Sequence, residues 1–186
     1  TVSGGSVTLT PASGTMNPGF ISVSGGTLNI NSAPTTTATL TLTGGTLGDV
    51  TSTGATGNGT ALNALTITGN DISVGNIGGA AAGVSGATSI TAADGAGPDA
   101  GSITLTGTIY KQNQLTLDAG AATNAIQVAG GAAAALTTIT TSGDTVTVTG
   151  AVDLNARDLT VVSTSGTPAG ANITFNNTID GAGTLV

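Results

Sequence analysis

Short runs of alternating apolar and polar residues, many of the polar ones Thr, fill most of this chain, and Gly, Asn or Asp breaks them every few positions. The clearest are LTITG (65–69), DISVG (71–75), TSITA (88–92), SITLTG (102–107), QLTLDAG (114–120), AIQVAG (125–130), DTVTVTG (144–150) and NITFNNTI (172–179). Alternation over roughly four to eight residues predicts a strand that buries one face. No stretch carries the spacing of about 3.6 residues that an amphipathic helix needs. The alanine runs at 80–82 and 132–135 each follow a Gly-Gly pair and are read as loops.

The strands recur. SGGSVTLT (3–10), SGGTLNI (24–30) and TGGTLGDV (43–50) share a Gly-Gly pair, read as a turn, followed by an alternating strand. Their first glycines, Gly4, Gly25 and Gly44, recur at a nearly constant interval of about 20 residues. Taking every second strand, Ile103, Ile126, Val146 and Ile173 form one series, and Leu115, Ile139, Leu159 and Leu185 form another. Both series step by similar but unequal intervals. Irregular self-similarity at roughly 20–25 residues predicts an all-β fold, a parallel β-helix whose coils each hold two or three short strands. At about 4.8 Å per coil, roughly eight coils would form a rod of about 40 Å.

An antiparallel β-sandwich, with a strand every 8–12 residues or so, is the alternative. The solenoid is preferred because the candidate core residues are small and uniform. Phe20, Phe175 and Tyr110 are the only aromatics. The Gly-Gly pairs also recur at coil length, not hairpin length. No domain boundary is visible, so residues 1–186 are read as one solenoid segment. The loosest stretches, 51–63 and 92–101, are expected to be protruding loops. The chain starts at Thr1 without a Met or signal peptide and stops at GTLV (183–186), which reads as the start of a strand. A longer protein is therefore expected.

Composition narrows the function classes. Only 6% of residues are charged, with nine acids, all Asp, against Lys111 and Arg157. A hydrophobic content of 38% argues against disorder. A net charge of −7 argues against nucleic acid, which needs clustered Lys and Arg. No apolar run approaches the roughly 20 residues of a membrane-spanning helix. With no Cys there are no disulfides or thiolate metal sites.

ALNALTITGNDISVGNIGGAAAGVSGATSITA (61–92) and ITFNNTIDGAGTLV (173–186) resemble repeats of large secreted bacterial adhesins of the filamentous-haemagglutinin type and of some autotransporter passengers. The resemblance covers about the last two-thirds of the chain. It implies a right-handed parallel β-helix, export across a bacterial outer membrane, and a role at the cell surface or in a matrix. It implies no shared catalytic residues.

Candidate chemistry is sparse. Without His or Cys, a Ser–His or Cys–His nucleophile cannot be built. Glycoside hydrolysis needs two carboxylates about 5–10 Å apart. The close pairs are Asp94 with Asp99 and Asp153 with Asp158, and both read as turn formers. Arg157 beside Asp158 reads as a surface ion pair. GGTLGDVTS (44–52) partly matches the calcium-binding nonapeptide, but Leu47 stands where Gly is needed, so no cofactor is assigned and calcium is left unsupported. TLTLTG (39–44), ITLTG (103–107) and TVTVTG (145–150) carry Thr-x-Thr, the unit of ice-binding faces. Their spacing along the chain is uneven, which favours Thr as an ordinary strand former on the solvent side. N-x-T sequons at 58, 172 and 176 read as Asn placed at coil turns.

Tyr110-Lys111-Gln112-Asn113 falls between two alternating stretches and is expected to be a turn on the outer wall. Tyr110, Lys111, Gln112 and Arg157 are thus the candidate surface contacts. The expected function is a structural extracellular β-solenoid, part of a bacterial surface rod, fibre or matrix, and not an enzyme. Its expected partners are copies of itself or further coils of the same chain. An adhesin stalk that binds carbohydrate or a host surface is the alternative.

Overall fold

A computed structural model describes residues 2–9, 15–16, 23–30, 39–43, 50–52, 56, 63–69, 71–79, 83–92, 101–120, 125–164 and 170–186, with side chains from residue 56 onward. Among the described residues there is no helix, and all strand pairings are parallel. Strands β1 to β17, numbered in chain order, wind into a β-solenoid with three flanks. The parallel pairings exclude the antiparallel sandwich.

The first flank stacks β2 (Thr15–Met16), β4 (Thr39–Thr43), β6 (Ala64–Gly69), β8 (Val84–Ala92), the second half of β10 (Ile109–Asp118), β13 (Val146–Thr149) and β16 (Ile173–Phe175). These strands span about 30 Å at about 4.8 Å per step. The second flank stacks β5 (Val50–Ser52), β7 (Ile72–Val74), β9 (Ile103–Leu105), β11 (Ile126–Val128), β14 (Val152–Asp153) and β17 (Ile179–Asp180). The third runs from Thr56 through Ile77 and the first half of β10 to β12 (Leu136–Thr141) and β15 (Asp158–Val162), and it ends at Leu185. β1 (Val2–Leu9) pairs with β3 (Val23–Ile30) in a separate two-stranded sheet.

The predicted period of two is visible in burial. Inward and outward residues alternate along β6, β7, β9, β11 and β13. On the first flank Ile67, Ile90, Leu117 and Val148 form one inner column. On the second, Ile72, Ile103, Ile126 and Val152 form another. Each fully buried side chain of this kind contributes roughly 1.5–3 kcal/mol. The backbone repeats the same step. Ile72 N donates to Ser102 O at 2.8 Å, Ile103 N to Ala125 O at 2.7 Å, Ile126 N to Ala151 O at 3.0 Å and Val152 N to Thr178 O at 2.9 Å.

The structure sorts the predicted columns differently. Ile103 does pair with Ile126, but their column continues to Val152, whereas Val146 belongs to the first flank, between Leu115 and Ile173. Ile139 pairs with Tyr110 and not with Leu115. Chain separation alone cannot say which of a coil's three strands a residue occupies. Leu65, Thr88, Leu115, Val146 and Ile173 stack in one column although the chain intervals between them are unequal, because the turns absorb the difference.

The Gly-Gly pairs need a correction too. The repeat is real, with Ser3 opposite Ser24 and Gly5 opposite Gly26, but these glycines lie inside β1 and β3 and do not form turns. Glycine has a clearer purpose at Gly130. A Cβ there would lie 1.9 Å from Gly107 O, so two coils meet backbone to backbone at this corner. Residues 132–135 form the expected turn; Ala134 has φ 63° and donates its N–H to Ala156 O at 2.7 Å. The alanine run at 80–82, most of 51–63 and all of 93–100 lie outside the described residues.

Two inner columns carry a defect, at Thr88 on the first flank and at Thr137, opposite Leu159, on the third. Thr88 is 1% exposed between Leu65 and Leu115, and its hydroxyl has no hydrogen-bond partner. Thr88→Val, which keeps the shape and removes the unsatisfied group, is expected to raise unfolding free energy by about 1 kcal/mol in urea titration. Gly130→Ala is expected to lower it by several times as much, because the obstacle is a carbonyl oxygen and not a flexible side chain. An unchanged urea midpoint for Gly130→Ala would rule out that backbone contact.

Candidate functional site

Chemistry on a solenoid sits either inside the coil or on its walls. Inside, the void left between the flanks is narrow, and Leu105, Leu117, Ile126, Val148 and Phe175 are among its lining, all of which is apolar. Some of the polar groups that enter the interior hold coils together, whereas the hydroxyls of Thr88 and Thr137 have no hydrogen-bond partner.

The expected outer turn at 110–113 is one of these groups. β10 runs unbroken from Ile109 to Asp118, and its first half pairs with β12 while its second half pairs with β13. The bend between flanks is taken within the strand, at the register shift between Gln112 and Gln114. Tyr110 and Gln112 therefore point inward and are 1% and 3% exposed. They are not surface contacts. The Tyr110 hydroxyl donates to Val74 O at 2.9 Å and accepts from Gly107 N at 2.8 Å. Burial pushes its pKa above the ordinary value of 10.0, and the hydrogen bond from Gly107 offsets only part of that. Gln112 Nε2 donates to Tyr110 O at 3.2 Å and to Thr140 O at 3.1 Å, while its Oε1 is unpartnered.

Lys111 faces outward, half-buried, and its Nζ donates to Gly79 O. Arg157 does not reach for Asp158. Its guanidinium donates to Asn155 O at 2.5 Å and Gly131 O at 3.2 Å, while Asp158 accepts from Thr184 N at 2.9 Å. The four candidate residues thus serve separate backbone partners in different coils.

Of the described aspartates, Asp118, Asp144, Asp153 and Asp180 accept from nearby backbone as turn residues do, whereas Asp71 and Asp158 accept from the neighbouring coil. Asp71 accepts from Ser102 N at 3.1 Å and Oγ at 2.8 Å. Asp118, Asp153 and Asp180 accept from the N–H of Gly120, Asn155 and Gly181. Asp144 accepts from Thr145 N at 2.8 Å. Asp49, Asp94 and Asp99 lie outside the described residues, as does most of the segment 44–52. Asn76 shows Asn at a coil turn, its Oδ1 accepting from Thr108 N at 2.7 Å and Ile109 N at 3.0 Å.

The outer wall of the first flank holds what the sequence reading missed. In strand register, Thr41, Thr66, Ser89, Thr116, Thr147 and Thr174 form one rank. Two residues along each strand, Thr43, Thr68, Thr91, Asp118 and Thr149 form a second. Asn176 Nδ2 donates to Thr149 Oγ1 at 3.2 Å, which extends that rank by one coil. From residue 66 onward all of these side chains are half-buried or exposed. Neighbours in a rank stand about 4.8 Å apart, and the two ranks about 6.7 Å apart. The uneven chain spacing that argued against a Thr-x-Thr array is cancelled by the turns. The strings at 39–44 and 145–150 both belong to this wall, whereas 103–107 belongs to the second flank.

The other walls are mixed. On the second flank the outward rank reads Ser73, Thr104, Gln127, Asp153, Asp180. On the third, Lys111, Thr140 and Val162 share one rank, and Ile109, Thr138 and Thr160 another.

Comparison of the chain with family models, curated proteins and solved structures finds no match.

Tyr110→Phe leaves Gly107 N buried without its partner, while Val74 O keeps the N–H of Thr106 at 2.9 Å, and is expected to cost about 1–3 kcal/mol of stability in urea unfolding. A raised pKa means that the fold favours the neutral phenol. That contribution is complete below the unfolded pKa of about 10 and is lost as pH climbs above it. In an ultraviolet titration of this single tyrosine, phenolate should appear only together with loss of the β-sheet dichroism. Ionisation near pH 10 in the folded chain would contradict the burial.

Proposed function

We propose that this chain is a structural length of rod in a bacterial surface fibre or matrix, whose work is extension and stiffness. The observation that carries this reading is the succession of parallel strand pairings on three flanks among the described residues, each coil using its neighbour as template. Pairing of this kind lengthens without limit as coils are added and needs no special residue at any one level. Polar groups in the interior, such as Tyr110 and Asn76, tie successive coils together. The resemblance to filamentous-haemagglutinin-type adhesins supports an extracellular setting. The adhesin alternative loses its one aromatic contact, since Tyr110 is internal.

Immunogold electron microscopy of source cells, with antibody raised against this chain, is the test. Label along thin filaments or rods outside the cell envelope is expected. Label confined to the cell interior would end the proposal.

A further inference from the structure

We propose that the Thr wall of the first flank is an ice-binding surface. This goes beyond the rod reading and does not depend on it. The wall is a two-dimensional array and not a single stripe. Its two ranks run across successive coils with backbone-fixed repeats of about 4.8 Å and about 6.7 Å. These repeats are of the order of those between oxygen positions on the prism faces of hexagonal ice. The β-branched Thr side chain is stiff at χ1, so the hydroxyls and methyls are held in place before any ligand arrives. Little conformational entropy then remains to be lost on binding.

Two observations separate this from Thr used merely as a strand former. If Thr were only filling solvent-side strand positions, all three walls should carry it alike. Instead Gln127, Asp153 and Asp180 interrupt the second flank's rank, and Lys111, Ile109 and Val162 interrupt those of the third. The first flank's two ranks also hold no aromatic, no long side chain and no cation; Gln114 stands beside them on the same wall, where its Nε2 donates to Thr145 Oγ1 at 3.0 Å.

The ligand's class follows from what the wall lacks. A mineral lattice would need ranks of charge, and the wall has Asp118 alone. A crystalline polysaccharide is gripped by stacked aromatics, and Tyr110 is internal. What fits is an uncharged, repeating lattice of hydrogen-bond donors and acceptors that makes many weak contacts, which describes ice. Asp118 is the flaw in the array: its carboxylate replaces a hydroxyl and methyl in the middle of the second rank.

The test is partition of the purified 186-residue chain into a slowly grown ice body, together with thermal hysteresis. The wild-type chain should be enriched in the ice relative to a non-binding control protein. Thr147→Tyr, which raises a ring above the array, should lower the enrichment roughly tenfold. Thr147→Val, which keeps the methyl and removes one hydroxyl, should lower it less. Thr104→Tyr, the same change on the second flank, should leave it unaltered, and Asp118→Thr should raise it. Exclusion of the wild-type chain from ice would overturn the proposal. So would equal losses for Thr104→Tyr and Thr147→Tyr. Sedimentation velocity covers the remaining case: a dimer that Thr147→Tyr dissociates, in a chain that ice excludes, would make this wall an interface between copies and would also overturn it.

Discussion

The rest of this structure depends on backbone hydrogen bonds that run along the rod between successive coils. Each strand both donates to and accepts from its neighbour: Ile103 N donates to Ala125 O at 2.7 Å and Ala129 N returns a bond to Leu105 O at 2.8 Å. That ladder fixes register, and register fixes everything else. Side chains of equivalent position stack on one another, so inner columns become a core and outer columns become ranks. Because the coil is narrow, the core needs no large residue, and β-branched and leucine side chains fill it.

The ladder also explains how polar residues are tolerated inside. A coil's corner leaves backbone groups turned away from the regular strand pairing, and a buried group without a partner is costly. Tyr110 answers one of them, Gly107 N, and adds a second donor to Val74 O, while Asn76 answers Thr108 N and Ile109 N. A residue that reads as a surface contact in one dimension is therefore a brace in three. Gly130 on Gly107 is the opposite solution at a corner, in which nothing is inserted and the backbones touch.

Uneven coil length is the feature through which fold and surface part company. Turns differ in size from coil to coil, yet the strands between them return to the same register. Natural variation in the loops thus leaves the outer ranks undisturbed. A surface array can be far more regular than the string of residues that encodes it, and the Thr wall of the first flank is the example.

Much of the architecture was legible in the residues alone. The period of two, the scarcity of aromatics, the Gly and Asn punctuation and the recurrence at the length of one coil determined an all-β parallel solenoid, because these are local properties of strand and turn. The turn role of Asp118, Asp144, Asp153 and Asp180 was legible for the same reason, and the contacts of Asp71 and Asp158 with the neighbouring coil were not. Column membership was not, since pairing across a coil depends on how much chain each turn consumes, and Val146 and Ile139 were assigned to the wrong neighbours. The burial of Tyr110 and Gln112 was equally hidden, because β10 bends through a corner without ending, where its polar composition suggested an end. Only the tertiary structure decided which threonines stand side by side, because that is set by hydrogen bonds between residues a whole coil apart and not by the order of residues along the chain.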